Sequence, residues 1–469
     1  MYKPISYQIE GNLKKALLDE GAVVVRLVLG KDAVFVRDAN GKHALEVGMG
    51  DAKEPTRRML MLLCRKVVHY ARIHGLRRII VSFPEFCFKQ IRMKDAEIAE
   101  LLAVNFEMAN FEFVKYKTPP PEGWKFVEEI IVAGRATKEV KDGFLKGRII
   151  AEEVNACRIL ANTPGGEMTP RLLADAAWSA VKNLPVEITV LGKREMEKLG
   201  MGGVLGVAKG SEEEPQFITL EYRGGKISDS PVVLVGKGVT FDTGGLNLKP
   251  TEAIYEMHMD MSGGAAVMHA VAAAARLRIK KNIVGLIPAV ENMPSGSSYH
   301  PGDVLRSLSG KTIEVLNTDA EGRIILADGI TYAKRYNPRL VVDAATLTGA
   351  AMVALGQRCS AIFTDDEKLE QMTRQIGEET GDYVWPLPLW SEYEEDIQGT
   401  FGDLANTGKT RYGGAIHGAK FLHMFAKELS CPWMHIDIAP RMTSIEGEYL
   451  AKGAAGAPVR LLVKLLETL

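Results

Sequence analysis

Residues 315–329 read VLNTDAEGRIILADG, with Asp319 and Glu321 two positions apart and Gly322 and Arg323 directly after them. In a still-extended segment, side chains at i and i+2 project to the same side, so these two carboxylates could share one ligand. Carboxylates that close repel each other unless a proton or a cation lies between them. The same pair would also suit the first turn of a following helix, where acidic side chains favour the macrodipole. Two further strings tilt the balance toward a cation. Asp242 lies in FDTGG, a glycine-rich turn where backbone and ligand can approach closely. Asp260 lies in MHMDMSGGAAV, just before a helix start packed with Gly and Ala, and taken alone it reads as a plain N-cap near Ser262. Together Asp242, Asp260, Asp319 and Glu321 supply enough negative charge to balance two divalent cations, and carboxylate oxygens suit Mn, Mg or Zn.

Two lysines fall in the same strings. Lys237 follows a buried-looking strand in VGKG, and Lys249 sits in GGLNLKP; by residue type both would be solvated surface groups. Beside cations a desolvated lysine has its pKa pushed down, and the neutral amine could bind metal, whereas a lysine kept charged would stabilise an oxyanion. Arg323, at the expected N-terminus of a helix, pairs a bidentate cation with free backbone N–H groups, which makes an anion site. His258 is the one histidine beside a candidate ligand; on a strand-like stretch it would face away from Met257 and serve packing or support. No H-E-x-x-H, P-loop or G-x-S-x-G elbow is present.

The elements that must position these residues alternate between strand and helix. In the first 135 residues GAVVVRLVLG, DAVFVRD and RRIIVSF are strand-like, DANGK carries the Asn-Gly of a hairpin turn, and a helix is expected from Pro55 to Ile73. A long helical pattern from Lys138 to Leu160 ends in the breaker ANTPGG. Beyond Leu172 come VEITVLG, FITLEYR, PVVLVG, NIVGLIPAV, KTIEVL, RLVVDAA, CSAIFT and MHIDIA, mostly separated by helical segments. Near-continuous apolar strands with helical crossovers imply a mostly parallel sheet covered on both faces. The division expected is an N-terminal α/β domain over 1–137, a connecting helix and linker over 138–165, and a larger C-terminal domain over 166–469. In such sheets the ligand sits beyond the carboxyl ends of the strands, where the informative strings lie.

Length and composition agree with this division and exclude several classes. A chain of 469 residues is long for one core, and 46% hydrophobic with 25% charged residues is ordinary for a globular protein. Lys+Arg of 58 against Asp+Glu of 59 supplies no overall attraction to nucleic acid or anionic membrane. The start lacks a basic segment followed by an apolar core, and no apolar run reaches membrane-spanning length, so no membrane association and a cytoplasmic location are expected. Cys64, Cys87, Cys157, Cys359 and Cys431 form no C-x-x-C pair and read as small buried apolar residues.

Taken together, VGKGVTFDTGGLNLKP, MHMDMSGGAAV, ENMPSG, HPGDVL, NTDAEGRIILADGITYA, DAATLTGA and WMHIDIA closely resemble, in family order, the leucyl (cytosol) aminopeptidase family of dinuclear metallopeptidases, from about residue 160 to the C-terminus. The resemblance implies that Lys237, Asp242, Asp260 and Glu321 hold one metal, and that Asp242, Asp319 (side chain and carbonyl) and Glu321 hold the other. It implies two Mn²⁺ or Zn²⁺ ions per subunit, Lys249 polarising the scissile carbonyl, and a bicarbonate on Arg323 as proton shuttle. A metal-bridging water would then attack the first peptide bond of substrates with a free N-terminus. Met257, Thr346, Leu347, Gly349, Ala439 and Met442 would line the pocket for the first side chain, suiting Leu or Met. The resemblance also implies a macro-domain-like N-terminal domain and a homohexamer. Pro440, His417 and Gly418 depart from the family pattern and bear on fine specificity. A nucleic-acid-binding role, which some family members carry, is the alternative, and near-zero net charge argues against it.

Overall fold

The helix expected near Pro55 forms as Arg57–Ile73. Thr56 caps it, its hydroxyl accepting the Met59 N–H at 3.1 Å. Its buried stripe of Leu60, Leu63, Cys64, Val67, Val68 and Ala71 joins the core of the N-terminal unit. The computed structural model describes residues 3–19, 21–30, 32–37, 43–50 and 54–469, and divides into two compact units. One comprises Met1–Asn155 with Ser444–Lys452, the other Ala156–Thr443 with Gly453–Leu469.

In the first unit, strands β1 (Ser6–Glu10), β2 (Val23–Val28), β3 (Ala33–Arg37), β4 (His43–Gly48), β5 (Arg78–Ser82) and β6 (Glu129–Ala133) form a six-stranded sheet ordered β1, β6, β5, β2, β4, β3. Pairing is parallel except between β3 and β4, where Arg37 lies opposite His43. The DANGK turn expected between them falls on residues 38–42, outside the described residues. Helix Lys138–Ala161 forms where the pattern placed it, and the boundary between the units falls within it. The segment Ser444–Lys452 contributes Glu448 to this unit, where its carboxylate reaches Arg65 Nη1 at 3.4 Å, both side chains being buried.

The second unit carries β7 (Val186–Leu191), β8 (Gln216–Arg223), β9 (Val232–Gly236), β10 (Gly238–Asp242), β11 (Asn282–Asn292), β12 (Val304–Arg306), β13 (Thr312–Glu314), β14 (Leu340–Ala345), β15 (Ser360–Phe363), β16 (Val384–Pro386), β17 (Leu404–Ala405) and β18 (Trp433–Asp437). Its main sheet runs β16, β15, β18, β14, β9, β11, β8, β7, with β10 paired to β11. The centre is parallel, β18 to β14 to β9 to β11 and on to β10, and its side chains are almost wholly buried, as near-continuous apolar strands require. β8 and β7 add an antiparallel flank, so the sheet is mixed and mostly parallel.

Two local expectations need correction. KTIEVL does not enter the main sheet: β13 belongs to a small sheet with β12 and β17. The turn at Ser307–Lys311, closed by Gly310 N–H to Ser307 O at 2.9 Å, folds β13 back antiparallel on β12, and three residues are too short to cross the main sheet. MHMD is not strand-like either, because Met257–Met259 form a 3-10 turn that runs into helix Ser262–Arg276. That helix is wholly buried over Ser262–Ala275 and its small first turn lets it press on the sheet. A Cβ on Gly263 would stand 2.1 Å from the Ala344 carbonyl of β14. The close approach is what brings Asp260 to the strand ends.

Candidate metal centre

The parallel strands of the second unit end on one edge, and each end delivers a polar group. Lys237 follows β9, Asp242 ends β10, Asn292 ends β11, Thr346 follows β14 and Asp437 ends β18. Crevices beyond the carboxyl ends of such strands are where α/β sheets hold ligands. Asp260 comes from the turn before helix Ser262–Arg276, and Asp319 and Glu321 from the start of helix Glu321–Ala333.

Asp319 and Glu321 are not side by side on an extended segment. Asp319 lies in a turn, its N–H donating to Asn317 Oδ1 at 2.8 Å, and Glu321 is the first residue of the helix. Both readings of the pair thus meet, since Glu321 occupies a first helical turn and still points into the cluster. Oxygens of Asp242, Asp319 and Glu321 lie within 4.8 Å of one another. Asp260 joins through Lys237, whose ammonium lies 2.7 Å from Asp260 Oδ2 and 2.8 Å from Glu321 Oε1 while donating to Thr346 O at 2.9 Å. Lys249 stands on the more open side, 2.8 Å from Asp242 Oδ2 and in contact with Asp319 Oδ1. Lys237, Asp242, Asp260 and Glu321 are buried, whereas the Asp319 side chain is 33% exposed. Solvent therefore reaches the cluster along Asp319 and Lys249.

Four carboxylates around two ammoniums in a buried space leave a surplus of negative charge. Burial, reinforced by Glu321, pushes the Asp242 carboxyl up to about 6 despite Lys249 and Lys237. Burial also lifts Asp260 well above the usual carboxylate range and raises Asp319. For Glu321 burial is outweighed by Lys237 and Lys249, and its pKa falls. Burial opposes the charges on Lys237 and Lys249, yet the surrounding carboxylates hold both ammoniums above their ordinary range. An amine surrounded by carboxylates alone stays charged, and a neutral one requires cations beside it.

The donor set fits divalent cations. It offers hard carboxylate oxygens from four residues, and Asp260 Oδ2, Asp319 Oδ1 and Glu321 Oε1 are buried without a properly directed hydrogen bond. Each lies within ion-pair distance of a lysine. The remaining oxygens are held in place. Asp242 Oδ1 accepts from Gly244 N at 2.9 Å and Asn292 Nδ2 at 2.8 Å, and Asp260 Oδ1 accepts from the Thr346 hydroxyl at 2.7 Å.

Arg323, in the first turn of its helix, is buried. Its Nη1 donates to Asn406 O at 2.8 Å, and its Nε has no hydrogen-bond partner among the described residues. Burial brings its pKa down to about 10, with Glu321, Asp437 and Asp319 opposing. Of the residues expected to line a side-chain pocket, Met257, Leu347 and Ala439 are partly exposed, Gly349 is exposed, and Thr346 and Met442 are buried. His258 is half-buried, and burial lowers its pKa.

Sequence reasoning missed the groups that brace the cluster. The fully buried Asn292 donates to Asp242 and, at 2.9 Å, to Thr318 O, tying the Asp242 loop to the Asp319 turn. Its own carbonyl accepts from Thr243 N and Thr243 Oγ1. Asn406 grips the other side, donating to Asn317 O and accepting from Leu316 N. The available signal for Asn292 was a polar residue ending the long apolar strand NIVGLIPAVEN.

The sequence profile described as "Cytosol aminopeptidase family, catalytic domain" matches residues 155–463. The chain belongs to the cytosol aminopeptidase family. A probable cytosol aminopeptidase of Azoarcus sp. is 47% identical over 72% of this chain and 66% of its own length. Another, from Chlorobaculum parvum, is 40% identical over 98% of this chain and 93% of its own length. Among solved structures, the bottromycin maturation enzyme BotP in complex with Mn superposes with a TM-score of 0.85 at 32% identity, over 95% of this chain and 98% of that one. The two-domain mixed α/β architecture is shared along nearly the whole chain. Membership implies a metal-dependent aminopeptidase, a hydrolase of peptides.

Proposed function

We propose that the chain is a two-metal aminopeptidase that removes an apolar first residue, Leu or Met by preference, from peptides with a free N-terminus. The observation that supports this best is the meeting of Asp242, Asp319 and Glu321 oxygens within 4.8 Å, with Asp260 linked through Lys237. In this reading Lys237, Asp242, Asp260 and Glu321 hold one cation, and Asp242, Asp319 and Glu321 hold the other. Cations held there would supply Lewis acidity for the carbonyl and would lower the pKa of a water. Mn²⁺ and Zn²⁺ both suit the donors, and BotP, described in complex with Mn, favours testing Mn²⁺ first.

The chain's own groups do the rest. Lys249, charged and on the open side, orients and stabilises the oxygen of the scissile carbonyl as negative charge develops on it. Arg323, in the first turn of its helix and with a buried Nε that has no hydrogen-bond partner among the described residues, takes a small anion such as bicarbonate, which would move a proton beside the reacting bond. Met257, Thr346, Leu347, Gly349, Ala439 and Met442 accept the first side chain, and methionines make that surface adaptable. Among the described residues no helix is long and apolar enough to cross a membrane. A cytoplasmic homohexamer remains part of the proposal, testable by light scattering and fractionation. Nucleic-acid binding gains no support from the family match, and a salt-dependent gel shift with duplex DNA would reinstate it.

The test is hydrolysis of Leu-p-nitroanilide by purified protein with added Mn²⁺. Activity should appear with the wild type and vanish in Asp242→Ala and Glu321→Ala. Undiminished hydrolysis by either variant overturns the assignment.

A further inference from the structure

Asp437 ends β18 with a fully buried carboxylate whose hydrogen-bond donors are neutral, the Arg323 guanidinium being the charge that feels it. Its Oδ1 accepts the N–H groups of Leu347 at 3.1 Å, Thr348 at 3.4 Å and Ala439 at 3.1 Å. Its Oδ2 accepts the Thr348 hydroxyl at 2.7 Å. One carboxylate therefore joins two chain segments some 90 residues apart, the loop that follows β14 and the turn that follows β18. The strands beneath are in register, Ala345 opposite Asp437, and Ile438 N–H donates to Ala345 O at 2.8 Å, so the two segments leave the sheet side by side. Thr346, next to the bridged residues, donates to Asp260 and accepts from Lys237. On its other side the loop has no slack. A Cβ on Gly418 would meet Thr348 Cγ2 at 3.1 Å, Leu347 Cδ2 at 3.2 Å and Arg323 Nη2 at 3.4 Å. The loop is pinched between helix Gly414–Ala426 and the Asp437 carboxylate, and its shape depends on both.

We propose that Asp437 is a positioning residue that sets side-chain specificity, its carboxylate fixing Leu347 and Ala439 as the two walls of the pocket for the first substrate residue. This rests on the aminopeptidase reading of the site. Without the carboxylate the two loops lose their common anchor and the pocket changes shape, while Asp242 and Asp319 keep supports outside both loops and Asp260 and Glu321 keep Lys237 between them. Asparagine is the conservative replacement. It retains one carbonyl oxygen for the three N–H groups, and its NH₂ can donate to the Thr348 hydroxyl, which then accepts.

The experiment compares kcat/KM for Leu-p-nitroanilide with kcat/KM for Ala-p-nitroanilide in Mn²⁺-loaded full-length protein. The ratio is independent of the fraction of active molecules, so partial misfolding cannot imitate the effect. In Asp437→Ala the ratio should fall by about tenfold, the scale on which a shaped apolar pocket discriminates side chains. Asp437→Asn should restore most of it, and elemental analysis should find the wild-type Mn content in both variants. Should Asp437→Ala fail to accumulate, Thr348→Ser, which keeps the hydroxyl's bonds to Asp437 Oδ2 and Ala351 N, should leave the ratio near wild type, and Thr348→Val, which removes both, should lower it in the same direction by less. An unchanged ratio in Asp437→Ala or Thr348→Val, or loss of Mn from Asp437→Asn, overturns the inference. A wild-type protein that hydrolyses neither substrate overturns the aminopeptidase reading itself.

Discussion

Gly322→Ala adds one methyl group at the tightest point of the cluster. A Cβ built on Gly322 would lie 2.6 Å from Lys237 Cε, 2.7 Å from Nζ and 2.8 Å from Cδ. Ordinary contact begins at 3.4 Å, so the lysine tip must withdraw by about 0.8 Å. It has nowhere to go without loss, because its side chain is 3% exposed and engaged by Asp260, Glu321 and Thr346 O. Displacements near 1 Å in a catalytic array cost about 100-fold in rate, or about 2.7 kcal/mol at the transition state. The helix itself does not suffer, since alanine is favoured over glycine by up to about 1 kcal/mol in a helix. Gly322→Ala should therefore lose about 100-fold in kcat/KM on Leu-p-nitroanilide and bind Mn²⁺ more weakly in a chelator competition. Its circular dichroism should stay close to wild type, and its metal-free stability, read by Tm, should fall by no more than about 1–3 kcal/mol, the cost of overpacking a tight interior. Gly296→Ala, where a Cβ meets nothing within 4 Å, is the control. Wild-type turnover and Mn²⁺ affinity in Gly322→Ala would refute the placement of Lys237 in the cation cage.

Other variants probe the supports. Asn292→Ala should weaken Mn²⁺ binding by about 10- to 100-fold, the usual loss when a group orienting a ligand is removed, as read by chelator competition on the folded protein. Arg323→Lys cannot hold Asn406 O and a second acceptor in one plane; kcat should drop by about 100-fold, and any stimulation of wild-type turnover by added bicarbonate should disappear. Asp328, on the same helix, is buried and accepts N–H groups from Val204 and Leu308, yet burial pushes its carboxyl up to about 7. A carboxyl whose pKa is raised by folding contributes most while protonated. That contribution is fully present below the unfolded value near 4 and lost as pH climbs toward 7, at about 1.4 kcal/mol per unit. The Tm advantage of wild type over Asp328→Asn should accordingly shrink across that window, and a constant difference would show that Asp328 does not titrate there.

The candidate ligands were legible because their chemistry is local. A carboxylate in FDTGG or NTDAEGR declares its type and its neighbours, and the rule that parallel strands expose ligands at their carboxyl ends gives it a place. Asp242, Asp260, Asp319 and Glu321 do converge there, from strings 18 to 59 positions apart before the last pair. The braces were invisible for the complementary reason. Asn292 and Asp437 act on partners 50 and 90 residues away, and nothing in local pattern tells which strand ends lie side by side. KTIEVL misled because apolar alternation gives strand type without strand partners, and the adjacent turn decided the pairing. The segment Ser444–Lys452 carries no compositional mark that it belongs with the first 155 residues, because what assigns it is contact rather than pattern.

That last segment gives the chain an interleaved architecture. A gene fragment ending near residue 155 would encode most of the first unit but not Glu448, whose carboxylate lies 3.4 Å from Arg65 Nη1. Neither unit is released whole by one cut, so dissection needs a circularly permuted or internally deleted gene. An end-to-end fusion of residues 1–155 to another protein would carry the first unit without its Ser444–Lys452 segment.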